Sequence, residues 1–245
     1  MKIKLTAFWG ALAFCLSCQQ NKPIDTNTKS ASTIKNVSTT EAAQFKVIES
    51  AYNLQSGFGD NFLKWTVVIE NPNQDAYGLF PTVTITARDE DGTVVGTEDQ
   101  VLKELPPGIK MARAGQMTVT KPPKTVEITP LKVEWRNTET KSADYLTFQA
   151  NKINVSLQGK NLYKVTGDIT NPYEKEIDQI AVVVLLRNED GKLMGGGTGF
   201  VDTLSAKSSR PFSVDYIATK EKVQKAEVFA FPWGQVSWNN VSGLK

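Results

Sequence analysis

The sequence predicts an all-β protein that carries one structural unit twice, because two turn motifs recur at nearly the same spacing. Ile-Glu-Asn-Pro at residues 69–72 returns as Ile-Thr-Asn-Pro at residues 169–172, an offset of 100 residues. Arg-Asp-Glu-Asp-Gly at residues 88–92 returns as Arg-Asn-Glu-Asp-Gly at residues 187–191, an offset of 99 residues. Two different motifs that share this spacing indicate a duplicated unit.

Alternation between apolar and polar residues predicts the strands within each copy. Trp65, Val67 and Ile69 share one face of a period-two pattern, and Val83 and Ile85 share one face of the next segment. No stretch of the chain shows sustained helical periodicity. The second copy repeats the strand pattern at Val182, Val184 and Leu186.

Turn signals divide these strands at short intervals. Asp-Gly at residues 91–92 and 190–191 predicts a β-hairpin in each copy, and Leu-Pro-Pro-Gly at residues 105–108 predicts a further turn. About seven short strands in roughly 95 residues, with turn signals every 8–12 residues, are typical of an immunoglobulin-like (Ig-like) sandwich. We therefore predict two tandem Ig-like antiparallel β-sandwich domains.

The segments outside the predicted sandwiches differ from them in composition. Residues 19–43 consist largely of Asn, Thr, Ser, Lys, Ala and Gln, which cannot bury enough surface to offset the entropy of ordering. The predicted organisation is a signal peptide at residues 1–17, a lipidated cysteine and disordered tether at 18–43, sandwiches at 44–135 and 145–245, and a polar linker at 136–144.

The first residues have the pattern of an export signal. Lys2 and Lys4 precede an apolar run at residues 5–16, which is too short for a permanent transmembrane helix. The run ends in Ser17 and Cys18, and this pattern resembles the lipobox of bacterial lipoproteins, although Cys15 stands where that family usually has leucine. The resemblance implies that Cys18 is acylated and becomes the mature N-terminus. The alternative is an ordinary secretory signal that contains cysteines by coincidence.

The residues around Cys18 also predict where the protein resides. Gln19 resembles the residue found in lipoproteins that are sorted to the outer membrane, whereas aspartate is absent from this position. Both cysteines of the chain lie in the first 18 residues, so the predicted sandwiches must fold without disulfides. We expect a bacterial envelope protein held by a lipid anchor on Cys18, with the outer membrane as the expected location.

The order of motifs in the first copy resembles a known type of bacterial domain. A strand, Asn-Pro, a second strand, an Asp-Gly hairpin and Leu-Pro-Pro-Gly follow one another, with Asn-Pro-Asn at residues 71–73 and Asn-Pro-Tyr at residues 171–173. This order resembles FxLYD-type domains and the related WHy/LEA-type sandwich. The Phe-x-Leu-Tyr-Asp signature itself is absent, since residues 85–89 and 184–188 have other sequences. The resemblance implies the fold and an extracytoplasmic setting, and it supplies no catalytic residues.

Composition excludes several classes of chemistry. The chain has no histidine, which rules out Ser-His-Asp and Cys-His catalysis and histidine-ligated zinc. The sequence has 28 Lys and Arg against 26 Asp and Glu, and loss of Lys2 and Lys4 with the signal peptide leaves 26 against 26. A chain without net charge offers no electrostatic footprint for nucleic acid. We expect no enzyme activity and no cofactor, and a hydrolase that works without histidine remains as a third option.

Two motifs suggest chemistry but have simpler explanations. The carboxylates at residues 89–91 could bind calcium, but the spacing of an EF-hand is not met and the following glycine predicts a hairpin tip. The Gly-Gly-Gly-Thr-Gly sequence at residues 195–199 lacks the lysine of a phosphate-binding loop, and we expect a flexible bulge or loop between strands there. Neither motif predicts a metal site or a catalytic site.

One difference between the copies predicts a binding surface. Thr84 and Thr86 face outward in the first copy, whereas Val183 and Leu185 occupy the same positions in the second. An apolar patch on the outer face of the second sandwich would bind an envelope protein or polymer. The alternative is that the first domain or the C-terminal residues 235–245 cover this face. The predicted patch consists of Val183, Leu185, Phe229, Phe231 and Trp233.

These observations together predict a non-catalytic binding or structural module that is anchored in the envelope. The alternative is an accessory subunit of an envelope protein complex. The sequence itself identifies no partner.

Overall fold

The computed structural model describes residues 42–57 and 60–242, without the side chains of residues 241 and 242. Nearly all regular structure in this part of the chain is β-strand, which confirms the predicted all-β sandwich fold. The helical exceptions there are a 3₁₀ turn at Ser142–Asp144 and a short helix α1 at Trp238–Ser242. The described residues contain no helix that is long and apolar enough to cross a bilayer.

The first half of the described chain contains two antiparallel sheets. One sheet has the order β1-β2-β6, and in the other β3 pairs with β4 and β5 on one side and with β7 on the other. The strands are β1 Lys46–Gly57, β2 Asp60–Glu70, β3 Ala76–Arg88, β4 Val94–Val101, β5 Glu104–Leu105, β6 Lys110–Val119 and β7 Thr125–Asn137.

The second half repeats this topology. Strands β8, β9 and β12 form one sheet in the order β12-β9-β8, and the other sheet has the order β11-β10-β13. Each strand has a counterpart in the first half, and strand pairing stays within each half. The strands are β8 Gln149–Gly159, β9 Leu162–Thr170, β10 Ile177–Arg187, β11 Leu193–Leu204, β12 Ser209–Ala218 and β13 Lys225–Pro232.

The apolar faces predicted from alternation form the cores of both halves. Trp65, Val67 and Ile69 on β2 are buried, as are Val83 and Ile85 on β3. Each aliphatic side chain that leaves water in this way contributes about 1.5–3 kcal/mol to folding. The corresponding buried residues of the second half are Val165 and Ile169 on β9 and Val182, Val184 and Leu186 on β10.

The repeated Asn-Pro motif holds a turn in each half. Asn71 and Asn171 are completely buried, and each side-chain amide satisfies backbone carbonyls of two neighbouring segments. Removing such a donor from a buried site leaves unpaired carbonyls and costs about 1–3 kcal/mol. Asn71 Nδ2 donates to Ala76 O, Leu105 O and Pro106 O at 2.7–3.1 Å. Asn171 Nδ2 donates to Lys175 O, Leu204 O and Ser205 O at 2.8–3.2 Å.

The repeated Asp-Gly motif forms a hairpin tip in each half, as predicted. Gly92 and Gly191 both have φ +79°, a conformation that favours glycine. Asp89 Oδ1 accepts hydrogen bonds from the backbone N–H of Asp91 and Thr93 at 3.1 and 2.9 Å. Asp89, the first residue of the acidic cluster, therefore stabilises the turn.

Candidate functional site

The two halves pack against each other through one sheet of each. Thr66 on β2 is 2% exposed although its side chain points away from the core of the first half. A Cβ built at Gly196 on β11 would lie 2.8 Å from Thr66 Cγ2, so the two strands are in direct contact. Thr198 Oγ1 also donates to Ala114 O on β6 at 2.9 Å. The β1-β2-β6 sheet thus covers the β11-β10-β13 sheet.

This packing covers the centre of the predicted apolar patch. Val183 and Leu185 are each 0% exposed, and strand register places them opposite Thr198 and Gly196, which contact the first half. The prediction of an exposed patch is therefore wrong for these two residues. The alternative that the first domain covers this face is correct, because β2 and β6 lie against it.

The aromatic residues of the predicted patch are covered to different extents. Phe231 is 2% exposed and lies 6.1 Å from the Trp238 ring of the C-terminal helix. Trp233 is half-buried, with the Arg113 guanidinium 4.6 Å above its ring. Phe229 is half-buried and lines a cavity. Phe231 is thus unavailable as a free surface, and part of Phe229 remains accessible.

The difference between the two copies follows from this arrangement. Thr84 and Thr86 lie on the outer face of the β3 sheet, where they are half-buried, and Thr84 Oγ1 donates to Asp99 Oδ1 at 2.7 Å. The same positions in β10, Val183 and Leu185, lie where the β11-β10-β13 sheet packs against the β1-β2-β6 sheet. Valine and leucine at these positions serve contact between the two halves.

The glycine-rich sequence at residues 195–199 lies inside β11, so the prediction of a loop or bulge between strands is wrong. A Cβ at Gly196 would lie 2.6 Å from Val184 O, and a Cβ at Gly197 would lie 2.7 Å from Val214 Cγ1. Strand β11 passes between the first half and the β12 sheet, and only residues without side chains fit at these positions.

Arg187 joins the two halves by charge. Its guanidinium bonds both carboxylate oxygens of Glu49 on β1, at 2.9 and 2.6 Å, and Nε donates to Glu227 Oε2 on β13 at 2.9 Å. The hydrogen bonds with Glu49 are the largest influence raising the pKa of Arg187, and Arg187 in turn lowers the pKa of Glu49. A bidentate pair of this geometry fixes orientation as well as charge.

Glu104 on β5 holds the C-terminal segment. Its buried carboxyl group accepts a hydrogen bond from the Trp238 backbone N–H at 3.2 Å and another from Tyr77 Oη. Burial raises the pKa of Glu104 to about 8, against the smaller lowering effect of the Trp238 N–H. The adjacent Lys103 Nζ donates to Val236 O at 3.0 Å and also to Gly234 O. The first half therefore binds the residues that follow β13.

A cavity of about 350 Å³ lies where these contacts meet, and it is the strongest candidate for a binding site in the described residues. Ile109 and Lys110 of the first half form one wall, and residues 145–147 with Trp238 form another. Residues 227–231 of β13 run along its length. The described residues include no group of three or more His, Cys, Asp or Glu side chains that could hold a metal ion.

Two charged residues of this region gave no signal in the sequence. Arg187 repeats Arg88, and both arginines donate to the carbonyl of the hairpin glycine, at 3.0 and 3.1 Å. Only Arg187 meets carboxylates from two other strands, which the repeat does not reveal. Glu104 stands directly before Leu-Pro-Pro, and nothing in the surrounding sequence distinguishes it from an exposed glutamate beside a turn.

Cys18 and the predicted signal peptide and tether lie outside the described residues, apart from residues 42 and 43. The predicted linker at 136–144 overlaps β7 by two residues and contains the 3₁₀ turn. Both halves belong to one compact unit.

Comparison with known proteins identifies no family for this chain. No protein-family model matches it, and no curated protein matches it. Among solved structures, the chain is similar to the N-terminal CBM22-1–CBM22-2 tandem domain from Paenibacillus barcinonensis Xyn10C. The identity is 9%, the alignment covers 88% of this chain and 96% of that chain, and the TM-score is 0.14. A likeness at that level identifies neither a family nor a ligand.

Proposed function

We propose that this chain is a lipid-anchored lipoprotein of the bacterial envelope and acts as a non-catalytic binding or structural module. The observation that carries the proposal is Cys18, which follows Ser17 at the end of a short apolar run with lysines at its start. A lipid attached there would hold the protein at a membrane, because each buried CH₂ contributes about 0.8 kcal/mol.

The described residues support the role of a binding or structural module. Arg187 links β1, β10 and β13, and Glu104 holds the C-terminal segment against the first half. These contacts, together with the buried face around Val183, join two sandwiches into one compact unit. Such a unit on a polar tether can present a fixed surface at a distance from the membrane.

Labelling with radioactive palmitate tests the anchor. We expect the full chain, expressed in bacteria, to incorporate the label and to sediment with membranes. Cys18→Ala should abolish labelling and release the protein, whereas the matched control Cys15→Ala should leave both unchanged. Labelling and membrane association that survive Cys18→Ala would contradict the proposal.

The role of accessory subunit in an envelope complex remains a second candidate. The cavity beside β13 favours it, because the cavity is accessible and has walls from both halves.

A further inference from the structure

Strand β13 has one free edge. It pairs with β10 from Lys225 to Pro232, and the flanking backbone bonds, Gln224 N to Arg187 O and Trp233 N to Gln179 O, also run to the β10 side. Within the described residues, no backbone hydrogen bond is made on the other side of β13. The free edge therefore offers a row of backbone donors and acceptors to an added strand.

The other long edge strands have features that hinder the addition of a strand. Register shifts interrupt the pairing of β1, β4, β7, β8, β11 and β12 with their neighbours. Strand β6 is regular, but the backbone of Ala114 is occupied by the Thr198 side chain. Strand β13 pairs with β10 over eight consecutive residues without a shift. Although β1 and β11 also keep long regular runs, β13 is an edge strand that pairs regularly over its full length and makes no backbone hydrogen bond on its outer side within the described residues.

Apolar surface accompanies this edge. The cavity of about 350 Å³ follows residues 227–231 and falls within the range of roughly 300–1,000 Å³ that ligand pockets occupy. A second hollow of about 560 Å³ lies beside residues 222–224, immediately before β13, and includes Val155 and Leu157 on β8. Leu157 is 63% exposed. One recess with apolar residues therefore lies along the free edge of β13, and a second lies beside the residues that precede β13.

The size of the cavity limits the kind of occupant. Ile109, Tyr145 and Trp238 line the cavity beside the free edge, and its volume of about 350 Å³ holds a few side chains of an extended chain but not a whole sheet of a second copy. An extended segment that pairs with a strand places alternate side chains on each face, and pockets then select those side chains.

We propose that β13 is an acceptor edge for an extended peptide segment of a partner protein, with apolar side chains at alternate positions that enter the cavity. This inference rests on the proposed function as a binding module and names the class of its partner.

A library of displayed random octapeptides provides the probe. The protein is the chain from residue 19 onward, which lacks the cysteine proposed to carry the lipid and contains every described residue. We expect enrichment of peptides with alternating apolar residues, and fluorescence anisotropy of the synthesised peptides should give micromolar Kd values. Methylation of alternate backbone nitrogens should raise Kd at least tenfold for the set that faces β13 and have little effect for the other set, because only one set pairs with the edge.

Two protein variants locate the site. Thr147 is exposed and lines the cavity, so Thr147→Trp should fill the cavity and raise Kd at least tenfold. Thr129 is exposed on β7 in the other half, and Thr129→Trp should leave Kd unchanged. Thermal melts report whether each variant folds, and the methylated peptides test the pairing without any variant.

Several results would overturn the inference. These are a library without binders, a Kd that is insensitive to Thr147→Trp in a folded protein, or equal effects from both methylated sets. Dimerisation in sedimentation without peptide binding would assign the edge to a second copy. If no peptide binds but the full chain incorporates palmitate, the inference about β13 is refuted and the lipid anchor stands. If peptides bind but the full chain incorporates no palmitate, only the lipid anchor is refuted.

Discussion

Replacement of Glu104 by glutamine tests how the C-terminal segment is held. Burial raises the pKa of Glu104 to about 8, from 4.5 for an ordinary glutamate. A carboxyl group whose pKa is raised on folding stabilises the folded state fully below the lower value, and this stabilisation is lost as the pH rises through the higher one. The protein should therefore lose stability between pH 4.5 and pH 8, because over this range Glu104 is ionised in the unfolded chain and still protonated in the folded one.

The expected loss can be worked out from these two pKa values. At 1.36 kcal/mol for each pH unit, and with titration incomplete near both pKa values, the free energy of unfolding should fall by on the order of 3–4 kcal/mol between pH 5 and pH 8. Glutamine at this position keeps an oxygen for the Trp238 N–H and cannot ionise. Glu104→Gln should therefore remove most of the slope and be more stable than the wild type at pH 8.

Guanidinium unfolding followed by tryptophan fluorescence at pH 5, 6, 7 and 8 measures this effect. The absence of histidine from the chain removes the side chain that ordinarily titrates in this interval. Glu90 is exposed at a hairpin tip, so Glu90→Gln should follow the wild-type pH dependence. A wild-type stability that does not change from pH 5 to pH 8, or an unchanged slope in Glu104→Gln, would refute the reasoning.

Two further predictions concern the interface between the halves. Arg187→Met should lower the free energy of unfolding by about 1–3 kcal/mol in denaturant titration, because Glu49 and Glu227 lose their partner while solvent screens part of the loss. Arg88→Met, which removes only a bond to a hairpin carbonyl, should cost less, and equal costs would contradict the role of the pair. Gly196→Ala should lower Tm through a cost of about 1–3 kcal/mol, because a Cβ there meets Val184 O and Thr66. Gly57→Ala, where a Cβ meets nothing within 4 Å, is the matched control, and equal melting temperatures for the two variants would contradict the close packing of β11.

The sequence was sufficient to predict the strands and turns because those depend on local chemistry. Alternation placed Trp65 and Val83 in the core, and the turn motifs predicted the hairpins at Gly92 and Gly191. Each of these features needs only a few neighbouring residues, so a repeat of the pattern is enough to recognise it.

The sequence could not identify what covers the apolar outer face of β10. Val183 and Leu185 indicated a contact, but the surface that meets them includes Thr66 and Ala114, which have no distinctive apolar pattern. A contact between halves depends on their relative placement, and no local pattern specifies it. The wrong prediction at residues 195–199 has the same cause. A run of glycines is typical of a loop, and only the placement of β11 between two sheets explains why these residues are glycines in a strand.

Mass spectrometry of the N-terminal peptide from membrane-extracted protein tests the central proposal most directly. A lipid-anchored lipoprotein should give a mature chain that begins at Cys18, with a mass increase from acyl chains on that residue. An N-terminal peptide that begins elsewhere, or an unmodified Cys18, would contradict the account.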